Sequence, residues 1–417
     1  MNYHFIGIAG AGMSALATIL KELGNNVTGS DRTLNNTSVD NIKPGIIVVK
    51  SAAIPEHNIE LMKAEELGLE VLTYPEMLGR ISKQFKTIAV SGCHGKTTTT
   101  CLLTHLIKNT IGCNYLIGDG DGGTNKNSDL FIIEACEYRR HFLNYHPEYT
   151  IITNLDLDHV DYFKNMEDVV DAYQSLVNTT KNTVIAYGDE DIMKQINFKQ
   201  VLFYGFNSDN DVVAKNLKLE TKGSSFSVYI KGEYYGDFFI PLPGKHMVLN
   251  ALAAITMCYL EKIDINQIKE LLKTTPVATR RFNETIIGEN IIIDDYAHHA
   301  PEIKVTIEAA RQKYPNKDII TVFWPHTFTR TKMFYKEIAQ ALKLADYTYI
   351  FDIFPARELQ TDHPGVTSDL IINELTDKQK IDYETLDKLL NHKDSVIIFM
   401  SPRDTNEYLE KYIEMLK

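Results

Sequence analysis

Several features that mark particular protein classes are scarce or missing in this sequence. Its five cysteines, an odd number, include no Cys-x-x-Cys pair, so neither a disulfide framework nor a zinc site is expected. No apolar run is long enough to cross a bilayer, and the Met1–His4 start lacks the basic residues of a signal peptide. These absences predict a cytoplasmic protein without membrane insertion.

Positive charge is also in short supply. The 417 residues include 43 Lys and Arg against 55 Asp and Glu, which gives a formal net charge of −12 at pH 7. This surplus of negative charge argues against a nucleic-acid partner. An anionic substrate would need a local cationic pocket. The composition, with 44% hydrophobic and 24% charged residues, is that of a globular protein, and the length predicts two or three domains.

Short apolar runs alternate with stretches of helical periodicity along most of the chain. This alternation predicts an α/β protein with parallel sheets. Between Asp211 and Ile240 the pattern changes to strands punctuated by turns, which predicts an antiparallel excursion. The changes of pattern divide the chain into three expected domains, residues 1–85, 86–279 and 280–417.

The most specific motif is a glycine-rich loop between a strand-like run and a helix-like run. It reads Gly92-Cys93-His94-Gly95-Lys96-Thr97-Thr98. Its two glycines let backbone N–H groups converge on an anion, the helix start and Lys96 add positive charge, and Thr97 is placed to ligate Mg²⁺. Strand, spacing, Lys-Thr pair and helix all agree, which favours a nucleoside triphosphate site over a plain glycine turn.

A second glycine-rich loop lies between the first strand and the first helix. It reads Gly7-Ile8-Ala9-Gly10-Ala11-Gly12. Glycines at this point allow a diphosphate to approach a helix N-terminus, and Asp31, after the next strand, can accept a hydrogen bond from a ribose hydroxyl. By itself this pair indicates a nucleotide-containing ligand, with ordinary turn structure as the alternative.

Polar residues follow two later strands of the central part. Glu134 ends an apolar strand and is the expected Mg²⁺ partner across from the phosphate loop, a role that Glu137 could share. His159 follows the next strand, which is expected to lie beside the Glu134 strand. His159 could then reach the same metal, although a loop histidine of this kind is more often structural.

The last part of the chain repeats this arrangement. Asp295 and His299 follow one strand, and His326 and Arg330 follow the next. Carboxyl ends of parallel strands form one rim of a sheet, so these loops are expected to converge, with solvated polar loops as the alternative. Arg281 lies at the boundary before this part and can reach phosphates from a hinge.

Taken together, these loops resemble the Mur ligases of peptidoglycan synthesis. Gly92–Thr97 is similar to the family's G-T-H-G-K-T, and Gly7–Ser14 to its G-I-G-G-x-G-M-S. Further matching stretches are Glu134–Leu143, Thr153–His159, Asp295–His299 and Pro325–Thr331. The resemblance implies three domains: N-terminal Rossmann-like, central P-loop α/β with a mixed sheet, and C-terminal Rossmann-like.

The resemblance also implies roles for individual residues. The loop Gly92-Cys93-His94-Gly95-Lys96-Thr97-Thr98 would hold ATP together with Asn250, Arg281 and Asp295, and Mg²⁺ would be arranged by Thr97, Glu134 and His159. Uridine diphosphate would be held by Gly7, Gly10, Ala11, Gly12, Met13, Ser14, Asp31 and Ser51. His299, His326 and Arg330 would face the other substrates, and the catalytic set would be Lys96, Glu134, His159, His299 and Arg281.

The reaction implied by the resemblance is ATP-dependent amide formation. The lactyl carboxylate of UDP-N-acetylmuramate would become an acyl phosphate that the amino group of L-alanine attacks, in a monomer or dimer. Alternatives are a ligase that reattaches a whole tripeptide, and a nucleotide-binding homologue with impaired catalysis. A nicotinamide site at Gly7–Gly12 would leave the Lys96 loop unexplained.

Four departures from the family pattern keep an altered activity open. The family's G-H-x-x-x-N stretch is missing before Val48, and Met247 stands where the family has an asparagine. Val277 replaces a glycine ahead of the double arginine. Near the C-terminus, Ser401-Pro402-Arg403 cannot bend as the family's glycines would.

Overall fold

The computed structural model describes all residues, Met1–Lys417, and contains three β-sheets flanked by helices. The α/β class predicted from the sequence is confirmed, and each of the three expected parts of the chain contains one of these sheets. The chain forms two compact units. The first unit comprises Met1–Lys215, Val228–Gly236 and Asn250–Pro276, and the second comprises Asn216–Ser227, Asp237–Leu249 and Val277–Lys417.

The first sheet has four parallel strands in the order β2-β1-β3-β4. The strands are β1 Asn2–Ile6, β2 Asn26–Ser30, β3 Ile47–Lys50 and β4 Val71–Thr73. The helices are α1 Ala11–Glu22, α2 Ile59–Glu66 and α3 Tyr74–Ser82. Helical spacing of Met13, Leu16, Ile19 and Leu20 buries one face of α1 in the core.

The central sheet has ten strands in the order β14-β13-β12-β11-β10-β9-β5-β8-β6-β7. The strands are β5 Lys86–Ser91, β6 Asn114–Leu116, β7 Gly122–Gly123, β8 Leu130–Glu134, β9 Tyr149–Ile152, β10 Val184–Tyr187, β11 Val201–Gly205, β12 Val212–Glu220, β13 Gly223–Ile230 and β14 Glu233–Ile240. Its helices are α4 Lys96–Lys108, α5 Met166–Thr179, α6 Lys245–Leu260 and α7 Ile265–Leu272. The last three strands are joined by two-residue turns, as in antiparallel hairpins.

The order of the central strands corrects one prediction. Strand β9, which leads to His159, was expected beside β8, which ends at Glu134. Instead β5 lies between them and pairs in parallel with both. The phosphate loop therefore leaves the sheet from its middle, and the loops after β8 and β9 lie on either side of it.

The third sheet has six strands in the order β15-β16-β20-β17-β18-β19. The strands are β15 Asn283–Ile287, β16 Asn290–Asp295, β17 Asp318–Phe323, β18 Tyr347–Ile350, β19 Lys378–Lys380 and β20 Ser395–Met400. The helices are α8 Ala300–Lys313, α9 Phe328–Leu342, α10 Asp369–Ile372 and α11 Asn406–Leu416. β15 pairs antiparallel with β16, and the pairs from β16 to β19 are parallel.

Within the first compact unit, helix α1 lies against the loop that contains β7. A Cβ at Gly120 would lie 2.8 Å from the Cβ of Ala11, so only glycine permits this approach. At the other end of the helix, the Glu22 carboxylate accepts hydrogen bonds from the backbone and the hydroxyl of Thr124 at 3.0 and 2.9 Å. The first glycine-rich loop is thereby attached to the central sheet.

The structure contains no helix that is both long enough and apolar enough to cross a membrane.

We expect the central core to determine the stability of the first compact unit. Phe131 on β8 is fully buried, and Phe131→Ala should lower the free energy of unfolding by about 3–5 kcal/mol because it leaves a cavity. Thermal melting followed by circular dichroism measures the effect. The control Ile111→Ala, at a side chain that is 49% exposed, should change the melting temperature little. Equal shifts for both variants would contradict this account of the core.

Candidate active site

The phosphate loop connects β5 to α4 through two glycines with positive φ. Gly92 has φ +130°, and a Cβ there would lie 1.9 Å from the hydroxyl oxygen of Thr153 at the end of β9. Gly95 has φ +81° and is the N-cap of α4. Because neither position tolerates a larger residue, the loop holds the backbone amides of the helix start facing one point.

Lys96, at the first position of α4, is held above this loop by oxygen acceptors. Its ammonium donates hydrogen bonds to the carbonyl oxygens of Gly92 and Cys93 at 2.6 and 3.1 Å, and pairs with both carboxylate oxygens of Glu137 at 3.0 and 2.9 Å. Burial disfavours the charged form, but the charge of Glu137 outweighs it and the pKa of Lys96 is raised. The ammonium is therefore permanently charged.

The middle of the loop is bonded to the segment that follows β9. The Cys93 thiol donates to the Asp156 carbonyl at 3.0 Å and accepts from the Asp156 amide at 3.1 Å. Burial raises the pKa of Cys93, so this thiol stays protonated. The His94 amide donates to the Asn154 side chain at 2.8 Å, and a His94 ring nitrogen lies 3.1 Å from an Asp156 carboxylate oxygen.

Two more of the residues predicted to bind the nucleotide lie at the start of α4, and a third lies close to the phosphate loop. Thr97 and Thr98 are half-buried in the first turn of the helix. Asn250 is 7% exposed, and its carboxamide oxygen would lie 3.0 Å from a Cβ added to Gly95. The structure thus brings Asn250 from α6 to the loop.

The group best arranged to hold a divalent cation forms around Glu137. Glu137, Asp158 and His159 each offer one ligand atom, and these atoms lie within 4.8 Å of one another. Glu137 is 1% exposed and lies 3.9 Å from the Nε2 atom of His159. Glu134, the carboxylate favoured by the sequence, accepts a hydrogen bond from the Gly118 amide at 3.0 Å.

The first glycine-rich loop is held by the end of β2. The amides of Gly7 and Ile8 donate to the Ser30 carbonyl at 2.8 and 3.1 Å, and the Ala9 amide donates to Asp31 at 3.1 Å. Hydrogen bonds from Thr33 and Ala9 keep the pKa of Asp31 below its usual value. The Asp31 carboxylate, predicted to hold ribose, therefore also fixes the conformation of this loop.

The other predicted substrate residues of this loop differ in exposure. Gly10, Ala11 and Ser14 are exposed, whereas Met13 is 4% exposed and packs in the core. Gly12 faces the ring of Tyr74, which a Cβ there would meet at 3.3 Å. A Cβ on Gly7 would lie 3.1 Å from the Cβ of Ser51, so Ser51 after β3 is at this loop.

In the second compact unit, His298 and His299 lie at the start of α8. The His299 side chain caps the helix by accepting from the backbone three residues on, while Glu302 accepts from the backbone amides of His298 and His299 at 3.1 and 3.3 Å. The rings of His298 and His326 lie 5.9 Å apart, which confirms that the loops after β16 and β17 converge. Arg281 lies 3.7 Å from Glu302.

Asp295, at the end of β16, is 6% exposed and accepts three hydrogen bonds. The donors are the amides of Phe282 and Ala297, both at 2.8 Å, and the hydroxyl of Thr306 at 3.2 Å. Burial nevertheless raises the pKa of Asp295 to about 6, with Arg281 acting in the opposite direction. This carboxylate therefore changes charge near pH 6 and not near pH 4.

His326 and Arg330 form a pair across the start of α9. The Arg330 guanidinium is 2.9 Å from the Nδ1 atom of His326, and Arg330 is only 8% exposed. Thr327 between them has φ +64° and caps the helix through its hydroxyl. The Glu358 carboxylate accepts from the amides of Phe328 and Thr329 at 2.6 and 3.0 Å. The backbone amides at the start of α9 are thus already hydrogen-bonded, so the positive charge that this end of the helix offers to a ligand comes from side chains such as Arg330.

Two further residues belong to none of the motifs above: Glu302 lies near these histidines and Arg281, and His246 lies near Arg281. Glu302 fixes both histidines and Arg281, and its signal was a glutamate three residues after a helix N-cap. The Nδ1 atom of His246 is buried without a hydrogen-bond partner, and burial lowers the pKa of this imidazole to about 4. Its only sequence signal was a position next to Met247.

Comparison with known proteins agrees with this arrangement. Three family models match consecutive parts of the chain: Mur ligase family, catalytic domain, over residues 2–86; Mur ligase middle domain over residues 90–258; and Mur ligase, glutamate ligase domain, over residues 280–404. Each glycine-rich loop and each histidine cluster described above falls inside one of these matches.

Solved structures of low sequence identity share the fold. UDP-N-acetylmuramate-alanine ligase MurC from Thermotoga maritima is 23% identical with a TM-score of 0.82, over 100% of this chain and 99% of that one. Murein peptide ligase Mpl from Psychrobacter arcticus is 20% identical with a TM-score of 0.68, over 100% and 98%. MurF ligase from Thermotoga maritima, in complex with ADP, is 18% identical with a TM-score of 0.70, over 91% and 97%.

The phosphate loop, the carboxylates beside it and the three consecutive family matches lead to one conclusion. This chain belongs to the Mur ligase family of ATP-dependent ligases that build peptidoglycan precursors.

Proposed function

We propose that the protein joins L-alanine to UDP-N-acetylmuramate with hydrolysis of ATP. In this reaction the lactyl carboxylate attacks the γ-phosphorus of ATP and forms an acyl phosphate, and the alanine amino group then attacks the carbonyl carbon. An amide, ADP and phosphate result. No protein nucleophile is needed, because the chemistry depends on positioning and on neutralising the phosphate charge. We further propose domain boundaries at residues 1–85, 86–279 and 280–417, a cytoplasmic location, and a monomer or dimer.

The observation that supports the proposal best is the charged cradle at Lys96. A largely buried ammonium beside the amides of a helix start is a strong site for a triphosphate, and it gives this acidic chain a local positive charge. Likeness to MurC over nearly the whole of both chains supports alanine as the amino acid. Asp31, Ser51 and the Gly7–Gly12 loop would hold uridine diphosphate.

The residues beside the cradle fit a magnesium ion. Two carboxylates and an imidazole offer ligand atoms within 4.8 Å of one another, and the hydroxyl of Thr97 is at the helix start. Mg²⁺ held there would neutralise charge on the phosphate oxygens. Lys96 would bind the same phosphates, while Arg281, His299, His326 and Arg330 would orient the acid and the amine. His299 is our candidate for the base that keeps the amine unprotonated.

A second candidate is the ligase that attaches a whole tripeptide to UDP-N-acetylmuramate. Likeness to murein peptide ligase over 100% of this chain favours it, although the TM-score is lower than for MurC. An assay supplied with either L-alanine or the tripeptide, in which the mass of the product is measured, distinguishes the two ligases. A homologue with impaired catalysis, suggested by buried Met247, would release no phosphate with either.

The proposed reaction predicts phosphate release that requires both UDP-N-acetylmuramate and L-alanine. Lys96→Met should lower kcat/KM at least about hundredfold, because it removes the cation that faces the triphosphate. The control Lys108→Met, at the other end of α4, should keep its activity. Release that is independent of the amino acid would reject the ligase. Lys96→Met also leaves the Glu137 carboxylate without its ion-pair partner, and thermal melting measures the resulting loss of stability separately.

The carboxylate that binds the metal can be identified by titration with Mn²⁺, observed by electron paramagnetic resonance. We expect Glu137→Gln to weaken binding at least about tenfold, and more than Glu134→Gln does, because Glu137 lies beside His159. The opposite ranking would support the set implied by the family resemblance, Thr97, Glu134 and His159.

The raised pKa of Asp295 predicts an unusual pH dependence of stability. Between its ordinary value of 3.8 and about 6, this group is protonated in the folded protein and ionised in the unfolded chain. Its contribution to the free energy of unfolding therefore falls as pH rises through this window, by about 2 to 3 kcal/mol.

Asp295→Asn removes this contribution. The change in stability from pH 4 to pH 6.5, measured by chemical unfolding, should then be more positive in the variant than in the wild type. The difference between the two pH values is the measured quantity, since the amide also alters the local hydrogen bonds. Parallel pH profiles would show that Asp295 titrates normally.

A further inference from the structure

The segment after β8 has two consecutive arginines in the left-handed conformation. Arg139 has φ +51° and Arg140 has φ +56°, inside the short helical turn Tyr138–Asn144. Glycine or asparagine occupies this conformation at much lower cost, whereas a long side chain is strained there. Strain of this kind persists where the surroundings enforce it, and it is concentrated at functional sites.

Arg140 makes some of the contacts that hold this strained backbone in place. Its guanidinium bonds Asp168 at 2.7 Å and Asp171 at 2.8 Å, both on α5. These two bonds hold the backbone of the segment against a helix of the central core. Arg140 is therefore a structural residue.

Tyr138 attaches the other side of the segment to the candidate metal group. Its ring centre lies 4.6 Å from that of His159, and its hydroxyl donates to Asp161 at 2.9 Å. His159 is itself left-handed, with φ +50°. Two strained segments thus hold each other in place directly beside Glu137 and Lys96.

Arg139, unlike Arg140, does not bind the segment to a neighbouring helix. Its side chain is exposed, no ion pair joins it to an acidic residue, and its guanidinium lies 5.5 Å from the Tyr138 ring. The same Tyr138 ring lies 4.6 Å from the imidazole of His159, so Arg139 and His159 share Tyr138 as a neighbour.

We propose that Arg139 binds an anionic oxygen of a substrate at the Lys96–Glu137–His159 site. The inference rests on the proposed function, in which two anionic substrates meet at this point. The shared chemistry is a phosphate or carboxylate oxygen, which a planar guanidinium recognises through paired hydrogen bonds. Its source is either the triphosphate of ATP or the acidic sugar nucleotide. The strained backbone holds this cation beside the Tyr138 ring, which itself lies against His159, while Arg140 keeps the backbone in place.

The test uses a substitution that relieves the strain while it removes the charge. Arg139→Gly suits φ +51°, so its melting temperature should equal or exceed that of the wild type. The matched control is Lys262→Gly, an exposed cation with φ +56° after α6. Isothermal titration gives the Kd of Mg·ATP and of UDP-N-acetylmuramate separately, and steady-state assays give KM and kcat.

We expect Arg139→Gly to raise the Kd or KM of one of the two ligands at least about tenfold, the loss of a charge-assisted hydrogen bond. Arg139→Lys should recover part of this loss, and Lys262→Gly should change neither ligand. An effect on Mg·ATP alone assigns the contact to the triphosphate, and an effect on UDP-N-acetylmuramate alone assigns it to the sugar nucleotide.

Two results would overturn the proposal: constants of Arg139→Gly within twofold of the wild type, or losses that follow a fall in its melting temperature. A wild type that binds both ligands but makes no amide would reject the proposed reaction, and the titrations would still decide the role of Arg139. A wild type that binds neither ligand would reject both.

Discussion

The buried ion pair between Lys96 and Glu137 is the constraint on which the rest of the site depends. An ammonium and a carboxylate removed from water must satisfy each other and all their remaining hydrogen-bonding positions. Here the carbonyls of Gly92 and Cys93 complete the shell of the ammonium. Those carbonyls can point inward only because Gly92 bends against Thr153 with no Cβ between them. The charge of Lys96, the turn at Gly92 and the end of β9 at Thr153 therefore depend on one another.

The strand order explains why these groups meet. β5 lies between β8 and β9, so the loops after all three strands leave the sheet at adjacent points of one edge. Lys96 follows the first strand, Glu137 the second and His159 the third. Parallel strands whose polar loops share one edge concentrate charged groups there, while the apolar faces of the same strands remain in the core.

Two pairs of adjacent arginines show how an acidic protein uses its few cations. Arg280 bonds the Asp294 carboxylate at 3.0 Å and the Ser401 carbonyl at 2.8 Å, so it holds the Ser401-Pro402-Arg403 loop. Its neighbour Arg281 lies over the Tyr296 ring, 4.8 Å from its centre. In the pair after β8, likewise, Arg140 bonds two aspartates of α5, whereas Arg139 is exposed.

Much of this protein could be predicted from local sequence. The alternation of strands and helices, the phosphate loop and the polar ends of the strands follow from periodicity, glycine spacing and capping, which involve residues near one another in the chain. Tertiary structure alone decided that β5 separates β8 from β9, that Glu137 pairs with Lys96 and lies beside His159, and that Asp295 is buried enough to titrate near pH 6. These outcomes depend on which distant segments pack together, and no local pattern encodes the free energy of that packing.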